Sequence, residues 1–206
     1  NNFSENVLDA TQGWTKHIET VEELEGLPES ALQLLGSLAK EHGYESGYLI
    51  TLDVPSYMPV MTYCEDAALR EELYQAFLTR ASDQGPNAGK WDNSDNIQKI
   101  MSTRQSLAKL LSFDNYAQRS LATKMADSVE EVIGFLEQLA SKAFPVAKKE
   151  FSELERYAQE TFGQESIELW DIGFYSEKLR QQRFDVSQEE LKPYFPVPVV
   201  LQGLFD

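Results

Sequence analysis

His17, His42 and Cys64 are the side chains best suited to metal binding or nucleophilic attack in this 206-residue sequence. A catalytic zinc ion needs three protein ligands and one open position, usually with two histidines on one helix face. The two histidines here stand 25 residues apart, and no His-Glu-x-x-His is present. Neither has an imidazole four residues away, and the paired Glu-x-x-His of a di-iron bundle is missing. Both therefore read as partly exposed histidines near helix ends. Gly43-Tyr44-Glu45-Ser46-Gly47 has its serine in the fourth place, not the third that a nucleophile elbow requires, so it reads as a turn leading into a strand. Cys64 follows Tyr63 and precedes a helix start at Glu65 or Asp66, which suits a small buried apolar residue. No glycine-rich loop ends in Gly-Lys-Ser/Thr. Runs such as Glu22, Glu23 and Glu25, or Glu150, Glu153 and Glu155, read as solvated helix faces. No catalytic residue and no metal ligand set emerges. The aromatic group Trp170, Phe174, Tyr175, Tyr194 and Phe195 could orient peptide groups through hydroxyls and an indole N–H beside a cleft, or could pack in a core.

The elements that must carry these residues are mostly helical. Leu32, Leu35 and Ala39 form one apolar stripe, Leu69, Leu73 and Phe77 a second, and Val129, Val132, Ile133, Leu136 and Leu139 a third. Pro28 marks a helix start, as do the capping boxes Ser128-Val129-Glu130-Glu131 and Ser187-Gln188-Glu189-Glu190. Tyr48, Ile50, Leu52 and Val54 alternate with their neighbours up to Pro55, which predicts a strand. The fold class is mainly α, a multi-helix assembly with one short strand or small β element near residues 48–54. Asp83-Gln84-Gly85-Pro86-Asn87-Ala88-Gly89 is a loop between helices. Pro145 interrupts the helical pattern between Ser128 and Phe162, so a kink or break is expected near Ala143. The stretch from Lys192 to Pro198 is too proline-rich for regular helix, and helix can resume over Val199 to Phe205.

Composition bounds the function. Eighteen Lys and Arg against 34 Asp and Glu leave a net charge of −16, a balance that repels phosphate backbones and anionic membranes. No run approaches the ~18 apolar residues of a spanning helix. With 42% hydrophobic and 11% aromatic residues the chain is globular, not disordered. At this length folding removes roughly 70% of the unfolded surface, enough for a substantial core. One cysteine allows no intrachain disulfide and suits a reducing compartment. The opening Asn1-Asn2-Phe3-Ser4 has neither initiator Met nor a basic region, so an internal stretch of a longer protein is expected.

Blocks of sequence spread along the chain point further. They are Phe3-Ser4-Glu5-Asn6-Val7-Leu8-Asp9-Ala10-Thr11, then Leu27-Pro28-Glu29, then the stretch from Tyr48 through Asp53-Val54-Pro55-Ser56-Tyr57-Met58-Pro59 to Met61. Leu69-Arg70-Glu71-Glu72-Leu73-Tyr74, Thr79-Arg80, Asp95-Asn96-Ile97 and the helix from Arg104 to Leu111 follow. Asn115-Tyr116-Ala117, Lys124-Met125-Ala126, Trp170-Asp171, Tyr194-Phe195-Pro196 and Gly203-Leu204-Phe205 complete the series. In this order the chain resembles the thimet oligopeptidase and oligopeptidase A family of zinc metallopeptidases. It departs from the family's common Leu-Gly-Tyr at Leu111-Ser112-Phe113, and from Trp-Asp-x-x-Tyr-Tyr by having Phe174 before Tyr175.

The resemblance implies a cytoplasmic zinc endopeptidase that degrades short peptides, including cleaved signal peptides, in a channel between helical halves. Its His-Glu-x-x-His and further Glu lie beyond the matched region. Residues 1–206 are then a single fragment of scaffold and channel wall, inactive alone, with zinc in the parent and none expected here. The implied partners are short peptides and the missing catalytic half, with self-association through uncovered apolar patches. Substrate contact is expected at Thr51 and Leu52, should that strand lie alone at a sheet edge, and at Tyr175 and Tyr194. A free-standing helical module that binds peptides or proteins without catalysis is the alternative.

Overall fold

A computed structural model describes residues 2–185, 191 and 194–205. The Ser187-Gln188-Glu189-Glu190 capping box lies outside the described residues. The elements run α1 Asn2–Gln12, β1 Thr15–Ile18, α2 Glu29–Glu41, β2 Tyr48–Thr51, α3 Val54–Tyr63, α4 Ala67–Leu78, α5 Ser94–Leu110, α6 Tyr116–Leu121, α7 Val129–Phe162, α8 Ile172–Phe184 and α9 Val197–Phe205. A 3-10 turn spans Val21–Leu24. The expected mainly helical fold with a small β element is what forms. Two compact units divide it: Asn1–Gly13 with Thr79–Glu153, and Trp14–Leu78 with Leu154–Asp206.

The second unit holds the larger core. Ala31, Leu35 and Ala39 of α2 and Leu69, Leu73 and Ala76 of α4 are buried, and Leu32 and Phe77 pack at the margin. Burying one such leucine contributes about 1.5–3 kcal/mol. Tyr57 of α3 stacks on Phe77 of α4 with ring centroids 4.2 Å apart. Strand β2 does not lie alone: β1 pairs with it antiparallel, His17 opposite Leu49 and Thr15 opposite Thr51. His17 therefore sits on a strand, not near a helix end, because Thr15-Lys16-His17-Ile18 finds backbone partners despite weak apolar alternation. His42 does cap a helix, α2. Gly26 has φ +92°, and a Cβ there would meet the Tyr63 carbonyl at 2.2 Å. Only glycine lets the Glu25 carbonyl accept from the Glu65 N–H at 2.9 Å across that approach.

In the first unit a buried carboxamide ties α1 to α5. Asn93 Nδ2 donates to the Phe3 carbonyl at 3.1 Å, and its Oδ1 accepts from Asn6 at 3.0 Å and Asn96 at 2.8 Å. Ser128 caps α7, its Oγ accepting the Glu131 N–H at 3.1 Å. Glu131 reaches back to the Asp127 N–H at 2.8 Å, one residue earlier than a standard capping box. Helix α7 runs 34 residues unbroken through Pro145, where a kink or break was expected. The Ser141 carbonyl that loses its partner is on an exposed turn where water can bind it. Helix α9 begins at Val197, earlier than expected, because Pro198 falls in its first turn, where a missing N–H costs nothing.

Candidate functional site

The four residues expected to touch substrate are not assembled into one cluster. Thr51 ends β2 and is buried; its N–H donates to Ser56 Oγ at 2.9 Å, so that amide is not free for an added strand. Its hydroxyl donates to Asp53 Oδ2 at 3.3 Å. Leu52 belongs to the main core. Tyr175 belongs to a separate cluster with Leu154, Ala158 and Phe174. Tyr194 is 79% exposed.

The most concentrated polar centre is one that sequence reasoning did not single out. Helix α4 turns Leu69 and Leu73 into the core and carries Arg70 in with them, leaving it 2% exposed. Arg70 Nη2 donates to Asp171 Oδ1 at 2.5 Å, and Nη1 donates to the Cys64 carbonyl at 2.5 Å. The guanidinium carbon lies 4.2 Å from the Phe174 ring centroid. Asp171 Oδ2 accepts the Glu168 N–H at 3.4 Å. Arg70 Nε is buried without a partner among the described residues. Around this centre Lys178 pairs with Glu65 at 2.5 Å, and Glu177 binds Arg180 at 2.7 Å and Gln181 at 2.8 Å. Both members of the pair lie in the blocks Leu69-Arg70 and Trp170-Asp171, and an arginine between two core leucines was the available signal.

This centre is built to hold, not to react. A guanidinium offers only donors, and the Asp171 carboxylate is already engaged on both oxygens. Burial pushes the Tyr175 phenol up, as does the Asp171 charge, so it stays protonated as a donor. Burial likewise pushes the Cys64 thiol up; the Asp66 N–H and Arg70 offset part of this, and the Asp66 and Glu65 charges add to it. A thiol held in that form is a poor nucleophile. Phe174 meets Arg70 and Lys178 through its ring face, which needs no hydroxyl at that position.

The histidines are engaged elsewhere. His17 Nε2 lies 2.9 Å from the Ser46 carbonyl oxygen, not its hydroxyl, and the ring stacks on Tyr44 at 3.9 Å. Gly47, at φ +89°, permits this approach, since a Cβ there would fall 2.6 Å from Nε2. His42 Nδ1 lies 2.9 Å from the Leu38 carbonyl. Among the described residues no three of His, Cys, Asp and Glu converge as a metal site, so these side chains do not fit a zinc centre. No helix among them is long and apolar enough to cross a membrane.

The sequence profile of Peptidase family M3 matches residues 60–206, which include Arg70, Asp171 and Tyr175. The chain belongs to Peptidase family M3. It is 55% identical over 204 residues to oligopeptidase A of Haemophilus influenzae, covering 99% of this chain and 30% of that protein. Identity to oligopeptidase A of Escherichia coli is 52% over 206 residues, covering 100% of this chain and 30% of the relative. The M3 likeness extends to the dipeptidyl carboxypeptidase of Escherichia coli, 30% identical over 204 residues, with 98% and 29% covered. The chain thus spans about 30% of the length of the curated relatives it matches.

Proposed function

We propose that residues 1–206 supply, as a single fragment, the helical scaffold and channel wall of an oligopeptidase A-like zinc metalloendopeptidase. The parent enzyme hydrolyses short peptides, including cleaved signal peptides, in the cytoplasm. Its metal, activated water and general base belong to other parts of that enzyme, and this chain alone does not turn over substrate. The observation that carries the reading is identity of 52–55% to oligopeptidases A along the whole chain. Each unit exposes apolar side chains, Phe135, Leu136, Leu139 and Phe144 on α7 in the first and Val199, Leu204 and Phe205 on α9 in the second, which support coverage of each by the catalytic half or by self-association.

Of the expected contact residues, Thr51, Leu52 and Tyr175 are buried and the Thr51 N–H is held by Ser56, so the proposed peptide contact rests on the phenol of Tyr194. Tyr194, being exposed, offers its hydroxyl most directly. In the parent enzyme Tyr194→Phe is expected to raise KM for short peptides with little change in kcat, and an unchanged KM would remove it from the contact set. The central test incubates the 206-residue chain with zinc and an internally quenched peptide. Cleavage no faster than a zinc-only blank is expected; chelator-sensitive turnover by the chain alone would overturn the reading.

A further inference from the structure

Charge is not spread evenly along this acidic chain. Residues 96–126 hold five bases, Lys99, Arg104, Lys109, Arg119 and Lys124, and one acid, Asp114, a balance of +4 within a chain of −16. In the second unit Lys16, Arg70, Lys178 and Arg180 are each ion-paired to a carboxylate. The five bases of the α5–α6 region have no carboxylate partner within 4.0 Å among the described residues, and Lys124 donates to Ser120 Oγ instead.

Two of these bases lie close to one ring. Arg104 of α5 and Arg119 of α6 lie 5.1 and 5.7 Å from the Tyr116 ring centroid. Ile100, Thr103, Arg104 and Leu107 recur at the spacing of one helix face, and with Lys99 and Tyr116 they line a groove of about 300 Å³. The turn between the helices is fixed. Gln105 Nε2 donates to the Asp114 carbonyl at 3.2 Å, Gln118 Oε1 accepts the Asp114 N–H at 3.1 Å, and Asn115 caps α6 by accepting the Gln118 N–H at 3.0 Å. Arg104 lines this groove beside an apolar floor, and Arg119 stands next to it against the Tyr116 ring, neither with a carboxylate partner among the described residues.

We infer that this groove docks an acidic short peptide, its carboxylate side chains on Arg104 and Arg119 and its apolar side chains on Ile100 and Leu107. The planar guanidinium fork matches a carboxylate with two parallel hydrogen bonds. The acidity of the remaining chain disfavours a polyanion long enough to reach past the groove. The peptide class rests on the oligopeptidase reading above; the preference for acidic sequence rests on the groove.

Isothermal titration of the 206-residue chain with acetyl-Leu-Glu-Leu-Glu-Leu-amide and its glutamine counterpart tests this directly. The glutamate peptide should bind at least roughly tenfold more tightly, with the gap narrowing as salt rises. An R104Q/R119Q double variant, with an unchanged circular dichroism spectrum, should bring the glutamate peptide to the level of the glutamine one. Equal binding of the two peptides, or binding indifferent to the double variant, overturns the inference. So does a wild-type dimer in sedimentation that the double variant dissolves, which would assign the groove to a second copy. Binding requires no hydrolysis, so failure here leaves the scaffold reading intact, while turnover by the chain would sink that reading and leave the groove standing.

Discussion

Arg70 Nη2 and Asp171 Oδ1 meet at 2.5 Å although 101 residues separate them, with both side chains almost wholly buried. The pair pins α4 to the start of α8 within the second unit. Removing one partner strands the other as a buried charge, which costs about 3–5 kcal/mol. Arg70→Ala should therefore lower the urea midpoint by that amount of stability. Arg70→Met combined with Asp171→Leu should lose distinctly less, because no charge is left behind. Equal losses in the single and double variants would mean that packing, not charge, dominates at this position.

Ser112 is a second point where one atom group can be tested. It follows α5 in the left-handed region at φ 63°, donating its N–H to the Lys109 carbonyl at 3.0 Å while Phe113 donates to the Ala108 carbonyl at 2.9 Å. This is a Schellman turn, whose left-handed position favours glycine, and the related family commonly has glycine there. Ser112→Gly relieves the Cβ crowding and gives back part of the gain as greater freedom in the unfolded chain. A net stabilisation of roughly 0.5–1 kcal/mol is expected, read as a higher midpoint in thermal unfolding.

Acid should weaken the second unit through Glu177. Burial alone would raise this carboxyl, but hydrogen bonds from Arg180 and Gln181, with the Arg180 charge, outweigh burial and hold it below the ordinary value of 4.5. A lowered folded value contributes stability that is complete above the ordinary glutamate range and is lost as pH falls through the folded value. The stability difference between wild type and Arg180→Gln should be largest near neutrality and shrink in acid. Urea titrations at a series of pH values provide the measurement, and a difference that grows in acid would reverse the assignment.

Cys64 should behave as packing. Its buried thiol, held protonated and directed at the Glu23 carbonyl at 3.8 Å, is expected to resist a thiol-specific disulfide reagent in the native protein. It should label fully once denaturant opens the core. Fast labelling of the folded chain would show an accessible thiolate.

Much of this fold is legible in residue spacing. The stripes on α2 and α4 bury Leu35, Ala39, Leu69 and Leu73 and leave Leu32 and Phe77 at the core's margin, and the Ser128 cap forms because a hydroxyl three residues before an amide has a local partner. Strand β1 was not legible, since Thr15 to Ile18 lacks strong alternation and depends on β2 for its backbone bonds. Pro145 suggested a break that the exposed surface of α7 accommodates. Arg70 resembles any charged residue of an acidic helix until Asp171 is brought to it from far along the chain. The expected contact residues were chosen from resemblance and residue type, and neither says that Thr51 has already committed its N–H to Ser56. The base-rich stretch on α5 and α6 was visible in the charge count but hidden within the total of −16.

The carboxamide of Asn93 also sets an order of events. Its partners Phe3 and Asn6 leave the ribosome some 90 residues ahead of it, a separation of 87 for Asn6. At about 5–20 residues per second, α1 spends seconds without the helix that will hold it, while the Trp14–Leu78 portion of the other unit is being made. Helix α1 is thus made well before the residue that ties it to α5, and its docking within this unit waits on the emergence of Asn93.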